Sequence, residues 1–131
     1  MCQINIGDAD FAIRFNSDTG SNYTKHQFYS YGSGTPLATG TASTSSIPGG
    51  VSYSNSSGIF GVAVIDILDY KETTKYKTTR VLTGSDANGS GFLFFRSGAW
   101  MNTNAVSSID LIQTTGSSFL QYSSFALYGV K

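Results

Sequence analysis

One imidazole and a few carboxylates are the side chains of this sequence that could carry out acid–base chemistry. A Ser-His-Asp triad needs a hydroxyl, a base and an orienting carboxylate in contact, and His26 is the only histidine among the 131 residues. The sequence contains no Gly-x-Ser-x-Gly motif, which presents the nucleophile in many serine hydrolases. The pattern therefore predicts a structural or solvent-exposed His26.

Glycoside cleavage needs two carboxyl groups, one of which its surroundings keep protonated. The candidates are Asp66, Asp69, Glu72 and Asp110. Asp66 is the most unusual because it interrupts an apolar run, but a partner for Arg80 or a capped turn explains it more simply. We therefore expect no enzymatic activity and no catalytic residue; a small glycosidase or esterase would need His26 or Asp66 in a cleft with a partner.

Metal ligands are equally sparse. A single cysteine, Cys2, and a single histidine exclude a structural zinc site of the usual Cys/His kind. Residues 16–18 and 86–90 place oxygen-bearing side chains at alternate positions, as calcium loops do, but neither loop ends in the acidic residue that supplies bidentate ligation. Because Asn, Asp, Ser and Gly are ordinary turn residues, we expect turns, with no metal and no cofactor.

Aromatic and basic side chains are candidates for binding sugars. Lys71, Lys75 and Lys77 alternate with tyrosines, which is compatible with an acidic glycan or phosphate, but a solvated hairpin tip explains the run better. Trp100 and the eight tyrosines could form a platform for pyranose rings. A chain with seven leucines must fill much of its core with aromatic residues, so carbohydrate binding remains an alternative interpretation.

The elements that position these residues are predicted to be strands. The sequence holds 20 Ser, 14 Thr, 15 Gly and 7 Asn, but one Glu. Helices are built mainly from Ala, Leu, Glu, Lys, Gln and Arg, whereas β-branched and aromatic residues suit strands. The composition therefore predicts an all-β fold, and 131 residues are about the size of one domain, 1–131.

Alternation and turn signals place the strands. Residues 10–16 and 23–31 read as one hairpin, and 59–68 with 75–83 read as a second, in which 59–68 is apolar on both faces and typical of a central strand. Residues 92–96, 107–114 and 125–130 are further strands. The segment 32–50 reads as a flexible Gly/Ser/Thr-rich connection with one short edge strand. About seven to eight antiparallel strands favour a jelly-roll-like, two-layer β-sandwich, with a partly open barrel as the competitor.

Charge and hydropathy exclude several partner classes. Eight basic and eight acidic residues give zero net charge, unlike domains that bind nucleic acid or anionic lipid through a surplus of Lys and Arg. The longest apolar run, 59–65, is too short to span a bilayer, and no signal peptide is readable. We expect a soluble protein with no nucleic-acid partner and no membrane insertion.

Three stretches of the sequence carry a resemblance to a known protein family. FAIRFNSDTGSNY (11–23) resembles the strand, "D-G-S" turn and aromatic re-entry of β-rich structural proteins of tailed bacteriophages, with Thr19 inserted. WMNTNAVSSIDL (100–111) resembles their "T-x-A-I-x-S-I-x-L" strand, and FALYGV (125–130) resembles their closing "F-x-L-Y-G-I". One departure is that related chains carry a further apolar strand before the Phe11 equivalent, where this chain has the short segment 1–7.

The resemblance implies a non-enzymatic virion protein, assembled in the host cytoplasm and displayed as a decoration, fibre or appendage subunit against other capsid or tail proteins. A host surface glycan is the candidate ligand, and the alternative is a carbohydrate-binding module that recognises such glycans. Charged side chains and prolines normally keep the edge strands of a sheet from pairing with other chains, and this sequence has few charged residues and only two prolines. We therefore expect a homo-oligomer. Resemblance to phage fibres favours a trimer.

Overall fold

The computed structural model describes residues 10–51, 59–114, 116, 118, 119, 121 and 123–130. Within these residues the chain forms eight strands and no helix. The strands are β1 (Asp10–Phe15), β2 (Tyr23–Tyr31), β3 (Leu37–Thr44), β4 (Ile47–Val51), β5 (Val62–Leu68), β6 (Lys77–Asp86), β7 (Gly91–Trp100) and β8 (Ile109–Gln113). The predicted all-β class is confirmed.

The strands form two antiparallel sheets that pack as a two-layer sandwich. One sheet has three strands in the order β4-β1-β8, and the other has five in the order β3-β2-β7-β6-β5. The pairs β1–β8 and β2–β7 are nested in the sequence and lie one in each sheet, which gives the topology its jelly-roll-like character. The predicted two-layer sandwich is confirmed.

The core lies between the sheets and is aromatic at its centre. Alternation in β1 directs Phe11, Ile13 and Phe15 inward, where all three are buried. They meet Tyr23 and Trp100 from the five-stranded sheet, which are also buried. This cluster joins the end of β7 to the start of β2 and to β1, so one group of rings holds both layers together.

The Phe11 ring packs directly on the backbone of two glycines in β4. A Cβ placed on Gly49 or Gly50 would collide with ring carbons of Phe11. The glycines are therefore needed because a side chain at either position would occupy the space of the ring. This close approach lets the β1 and β4 backbones pair while a large aromatic side chain is buried between the layers.

Replacing Gly50 with alanine is expected to lower the free energy of unfolding by about 1–3 kcal/mol, because overpacking displaces the Phe11 ring. The added Cβ would also stand 3.1 Å from the Cβ of Ala63. Urea unfolding followed by circular dichroism measures the loss. Gly129→Ala is the control, since a Cβ there meets no atom within 4 Å; equal stability of the two variants would contradict the packing argument.

The predicted first hairpin is wrong, because β1 and β2 belong to different sheets. Asn16 and Ser17 both have positive φ, 53° and 54°, and turn the chain from one layer to the other. The Tyr23 hydroxyl holds this corner: it accepts the Phe15 amide hydrogen at 3.1 Å and donates to the Asp18 carbonyl at 3.1 Å. Alternation indicated both strands but contains no information on which sheet each one joins.

Segment 32–50 is also more regular than predicted, since it contains β3 and most of β4. The edge strand β3 is exposed along nearly its whole length, so its backbone pairing with β2 stabilises it without burial of apolar side chains. Strand β4 is buried at every position and carries Pro48, which an edge strand tolerates. Small side chains hid both strands from a search for apolar periodicity.

Strand β5 is an edge strand of the five-stranded sheet, not the predicted central strand. The β5–β6 hairpin itself is confirmed, with Val81 facing inward and Arg80 and Leu82 facing outward. Strand β7 is longer than the predicted 92–96. Residues 125–130 form no strand. Within the described part of the chain, the apolar segments 59–68 and 125–130 therefore both present exposed apolar side chains.

Candidate interaction surface

The outer face of the five-stranded sheet carries a row of apolar side chains that crosses every strand. Register pairing aligns Ala38 of β3 with Phe28, Phe28 with Phe95 of β7, Phe95 with Leu82 of β6, and Leu82 with Val64 of β5. Residues in register on antiparallel neighbours point to the same face. The alternation of all five strands therefore collects these side chains in one line, called here the apolar row.

The apolar row is solvent-exposed. Phe28 is 55% exposed, Phe95 49%, Leu82 53% and Val64 61%. Leu93 and Val62, two residues along β7 and β5, extend the row with exposures of 60% and 58%. We call these six large side chains the apolar patch. Because about half or more of each of these residues is exposed, the patch covers on the order of 600 Å², the upper end for the surface of a monomer.

A notch interrupts the patch at Gly84. Gly84 lies between Leu93 and Val62 in the register, and the Leu93 Cδ1 is 3.4 Å from the point where a Cβ of Gly84 would stand. The notch opens into a cleft of about 580 Å³ that reaches the β6–β7 turn. The cleft is lined in part by Ser30, Phe60, Asp86, Ser90 and Phe92. The patch is thus not flat and can receive a protruding side chain.

A polar row runs beside the apolar row and contains two of the catalytic candidates. His26 on β2 is exposed, with its ring over Gly40 of β3, and Asp66 on β5 accepts hydrogen bonds from Arg80 Nε at 2.9 Å and Nη2 at 2.7 Å. Three strand spacings, about 14 Å, separate β2 from β5. The geometry keeps the imidazole and the carboxylate apart, and the expected Asp66–Arg80 pairing is confirmed.

The loop 16–22 is organised by Asp18. Its Oδ1 accepts the Gly20 amide hydrogen at 2.8 Å, and its Oδ2 accepts Asn22 Nδ2 at 2.9 Å and Trp100 Nε1 at 2.8 Å. The indole hydrogen bond, followed by the other two, holds the pKa of the Asp18 carboxyl below its usual value. Donors of the protein itself satisfy these oxygens, which supports the turn interpretation over a calcium loop.

Acid is expected to destabilise the protein through Asp18. Its carboxyl has a lower pKa in the folded protein than in the unfolded chain, where it is about 3.9. The stabilisation is therefore complete above about pH 4 and is lost as the pH falls through the folded pKa. Urea midpoints between pH 2 and 7 measure this, and Asp18→Asn should flatten the dependence below pH 4; an unchanged profile in that variant would contradict it.

The second oxygen-rich loop is a tight hairpin turn. Asp86 Oδ1 accepts the Asn88 amide hydrogen at 2.8 Å, and the Ala87 amide donates to the Ser90 carbonyl at 2.7 Å. Asn88 has a positive φ of 56°, a conformation that Asn tolerates in turns. In the described part of the chain, no three Asp, Glu, His or Cys side chains come together as a metal site.

The three lysines of the basic run differ in their burial. Lys71 and Lys75 are exposed, as expected for a solvated tip, and Lys75 Nζ lies 3.8 Å from Asp69. Lys77 is fully buried, so its interpretation as part of the solvated tip is wrong. Its Nζ donates to the carbonyls of Glu72 at 2.6 Å, Lys75 at 2.8 Å and Thr103 at 3.0 Å. Lys77 therefore organises two loops and is not available to an anionic ligand.

The aromatic residues that were candidates for a sugar-binding platform differ in their exposure. Trp100 is 1% exposed and belongs to the core. Burial raises the pKa of the Tyr23 hydroxyl, which is enclosed beside Trp100. Tyr31, by contrast, is 51% exposed and makes edge contacts with Tyr29 and with Phe92, whose ring centroids are 5.2 and 5.0 Å away. Tyr31 lies near the β6–β7 turn, whereas the exposed Tyr76 directly precedes Lys77, which pairs with Trp100. The exposed aromatic side chains are thus spread over both ends of the sheet.

The apolar patch was not identified from the sequence as a functional feature, although its signal is present. Residues 59–68 and 92–95 are apolar at consecutive positions, so each strand must present apolar side chains on both faces. For residues 59–68 this pattern predicts a central strand that the chain itself covers on both faces. It equally describes a sheet with one face covered by its own core and the other left for a partner.

Comparison with protein-family models, with characterised proteins and with solved structures found no match to this chain. Among the described residues, no helix is long and apolar enough to cross a membrane.

Proposed function

We propose that this chain is a non-enzymatic structural subunit of a tailed-bacteriophage virion, displayed on the particle as a decoration, fibre or appendage subunit. The observation that carries the proposal is the apolar patch, which presents Phe28, Phe95, Leu82 and Val64 to solvent across four strands of the five-stranded sheet. The three sequence motifs that resemble phage structural proteins supply the virion context. The patch is the surface that contacts neighbouring virion proteins.

The energetics of the patch favour a packing surface. Burying about 600 Å² of apolar surface at about 25 cal/mol per Å² contributes roughly 15 kcal/mol. Association costs on the order of 4–15 kcal/mol before any net affinity appears. A contact that covers more of the patch offsets more of this cost. A partner that covers the whole row, as a packed sheet or an extended segment does, therefore fits best.

The charged side chains that looked catalytic have structural partners. The catalytic candidate Asp66 pairs with Arg80, and Asp18 of the oxygen-rich loop 16–18 accepts three hydrogen bonds that fix the corner between the sheets. These contacts give both carboxylates a role in the fold. They support a structural function for the molecule.

The location of the protein on the particle tests the proposal. Antibody raised against the chain should label intact phage particles, and cryo-EM of those particles should place the sandwich with its apolar patch against a neighbouring capsid or tail protein. Particles that form normally and contain no copy of the chain would contradict the virion assignment. A location on the particle with the patch facing solvent would contradict the use of the patch but not the assignment.

A carbohydrate-binding module is the second candidate, favoured by the cleft beside Gly84. Phe60 and Phe92 line this cleft together with the polar residues Asp86 and Ser90, a combination that suits a sugar ring and its hydroxyls. A glycan array probed with the wild-type chain and with Asp86→Ala tests it. Specific binding that this variant loses, and that Glu72→Ala retains, would support a glycan-recognition module.

A further inference from the structure

A second exposed apolar feature lies on the segment 125–130. Phe125 packs against the chain, with its ring centroid 6.4 Å from that of Phe11 and 5.0 Å from that of Phe119. Beyond this anchor, Leu127 is 81% exposed, Tyr128 82% and Val130 90%. The segment therefore begins on the core and then presents three large apolar side chains to solvent.

We propose that segment 125–130 of one copy covers the apolar patch of a second copy of this chain. The inference rests on the proposed structural function and names the occupant of its contact surface. Both surfaces are apolar, and neither the six side chains of the patch nor residues 125–130 carry a charge. The chain as a whole has zero net charge, so no net repulsion separates two copies.

The dimensions of the two features match. Because Phe125 is held against its own chain, residues 126–130 are the part that can reach a second copy. When extended, these five residues span about 17 Å, and the four strands from β2 to β5 that carry the patch span about 14 Å between their outermost axes. One segment can therefore lie along the apolar row from β2 to β5. The cleft that extends from Gly84 to the β6–β7 turn is a depression on this face that can accept a large side chain such as Tyr128.

The contact is between two different surfaces of the chain. Each copy donates a segment and accepts one, so every patch is covered only in a closed ring of two or more copies. Sheet-to-sheet contact of two patches would instead be symmetric and would not require segment 125–130. This difference separates the two modes of self-association experimentally.

The test uses two variants of the full chain and their mixture, with mass measured by light scattering after size-exclusion chromatography. Val64→Lys introduces a charge into the patch, and the double variant Tyr128→Glu/Val130→Glu introduces charges into the segment. Wild type should be a multimer, and each variant alone a monomer. An equimolar mixture should form a complex of twice the mass of one chain, since one variant keeps its segment and the other keeps its patch.

Controls keep the result interpretable. Met101→Lys, which charges a 41% exposed apolar residue on the connection after β7, should retain the wild-type mass. All substituted positions are exposed, and circular dichroism verifies that each variant folds. Leu82→Lys replaces Val64→Lys as the patch variant if the latter loses its β signal.

Each other outcome overturns the inference in a distinguishable way. If the segment variant stays a multimer while the patch variant is a monomer, the segment is not the occupant, although the patch remains an assembly surface. If wild type is a monomer at every concentration, self-association is wrong and a different virion protein must cover the patch. If both variants keep the wild-type mass, the patch itself is not a contact surface between copies.

Discussion

Replacing Trp100 with alanine is expected to lower the free energy of unfolding by about 3–5 kcal/mol. Trp100 is 1% exposed, its ring centroid lies 5.6 Å from that of Phe15, and it stacks on Tyr23 at 6.4 Å with an interplanar angle of 17°. The substitution leaves a cavity where the two layers meet and also removes a hydrogen bond to Asp18. Domains of this size are stable by only about 5–15 kcal/mol, so a large share of the stability should disappear.

Trp100→Phe separates packing from hydrogen bonding. The phenyl ring keeps most of the contact with Phe15 and Tyr23 but has no N–H to donate to Asp18, so we expect a smaller loss of about 1–2 kcal/mol. The pKa of the Asp18 carboxyl should then move back towards its usual value, because its first-ranked hydrogen bond is missing. Equal stability losses in the two variants would show that the indole N–H, and not ring packing, dominates.

The sequence was most informative where one face of a strand is apolar. In β1, Phe11, Ile13 and Phe15 alternate with smaller or polar residues, and these three form the centre of the core. Strand β2 was predicted with the bounds that the structure shows. Burial of one face imposes a period of two on the side chains, and that period is readable without knowledge of the partner strand.

The sequence did not indicate which of the two sheets each strand joins. The corner between β1 and β2 depends on Asn16, whose side chain donates to the Ala105 carbonyl at 2.9 Å and accepts the Ser107 amide hydrogen at 2.8 Å. These partners are about ninety positions away in the sequence. Asn is frequent in tight hairpins as well as in such corners, so the local sequence did not distinguish a hairpin from a crossing between layers.

The candidate surface was hidden for a different physical reason. Leu82 and Val64 are as apolar as Val81, which is fully buried, although they are more than half exposed. The hydrophobicity of a side chain shows that its burial is favourable. It does not show whether the same chain or a partner buries it. Only the three-dimensional register showed that the outward apolar residues of separate strands lie in a single row.

Lys77 illustrates the opposite error, in which a charged residue is assumed to be solvated. Its place beside Lys71 and Lys75 made a surface run the simplest interpretation, yet its side chain is fully buried. A buried ammonium group is tolerated when every N–H has an acceptor. Three backbone carbonyls from two loops provide those acceptors. A pattern of charged residues in the sequence contains no information on where backbone carbonyls lie.

Lys77→Met is expected to lower the free energy of unfolding by about 3 kcal/mol or more. Methionine fills a similar volume but cannot donate to the carbonyls of Glu72, Lys75 and Thr103, and the loss of each of these part-buried hydrogen bonds to a charged donor carries a penalty of about 1.5–3 kcal/mol. The variant also avoids the desolvation cost of a buried ammonium group. This gain offsets part of the loss, so the expected total is nearer the penalty for one hydrogen bond than the penalty for three.

Lys75→Met is the matched control for Lys77→Met. The Lys75 side chain is 62% exposed and its ion pair with Asp69 is 3.8 Å long, so its loss should cost less than about 1 kcal/mol. Urea unfolding measures both variants, and limited proteolysis should cut loop 69–76 faster in the Lys77 variant only, because that loop loses the group that ties it to Thr103. If the two variants were equally stable and equally resistant, the three carbonyl contacts would contribute no more than a surface ion pair, and burial of the ammonium group would need another explanation.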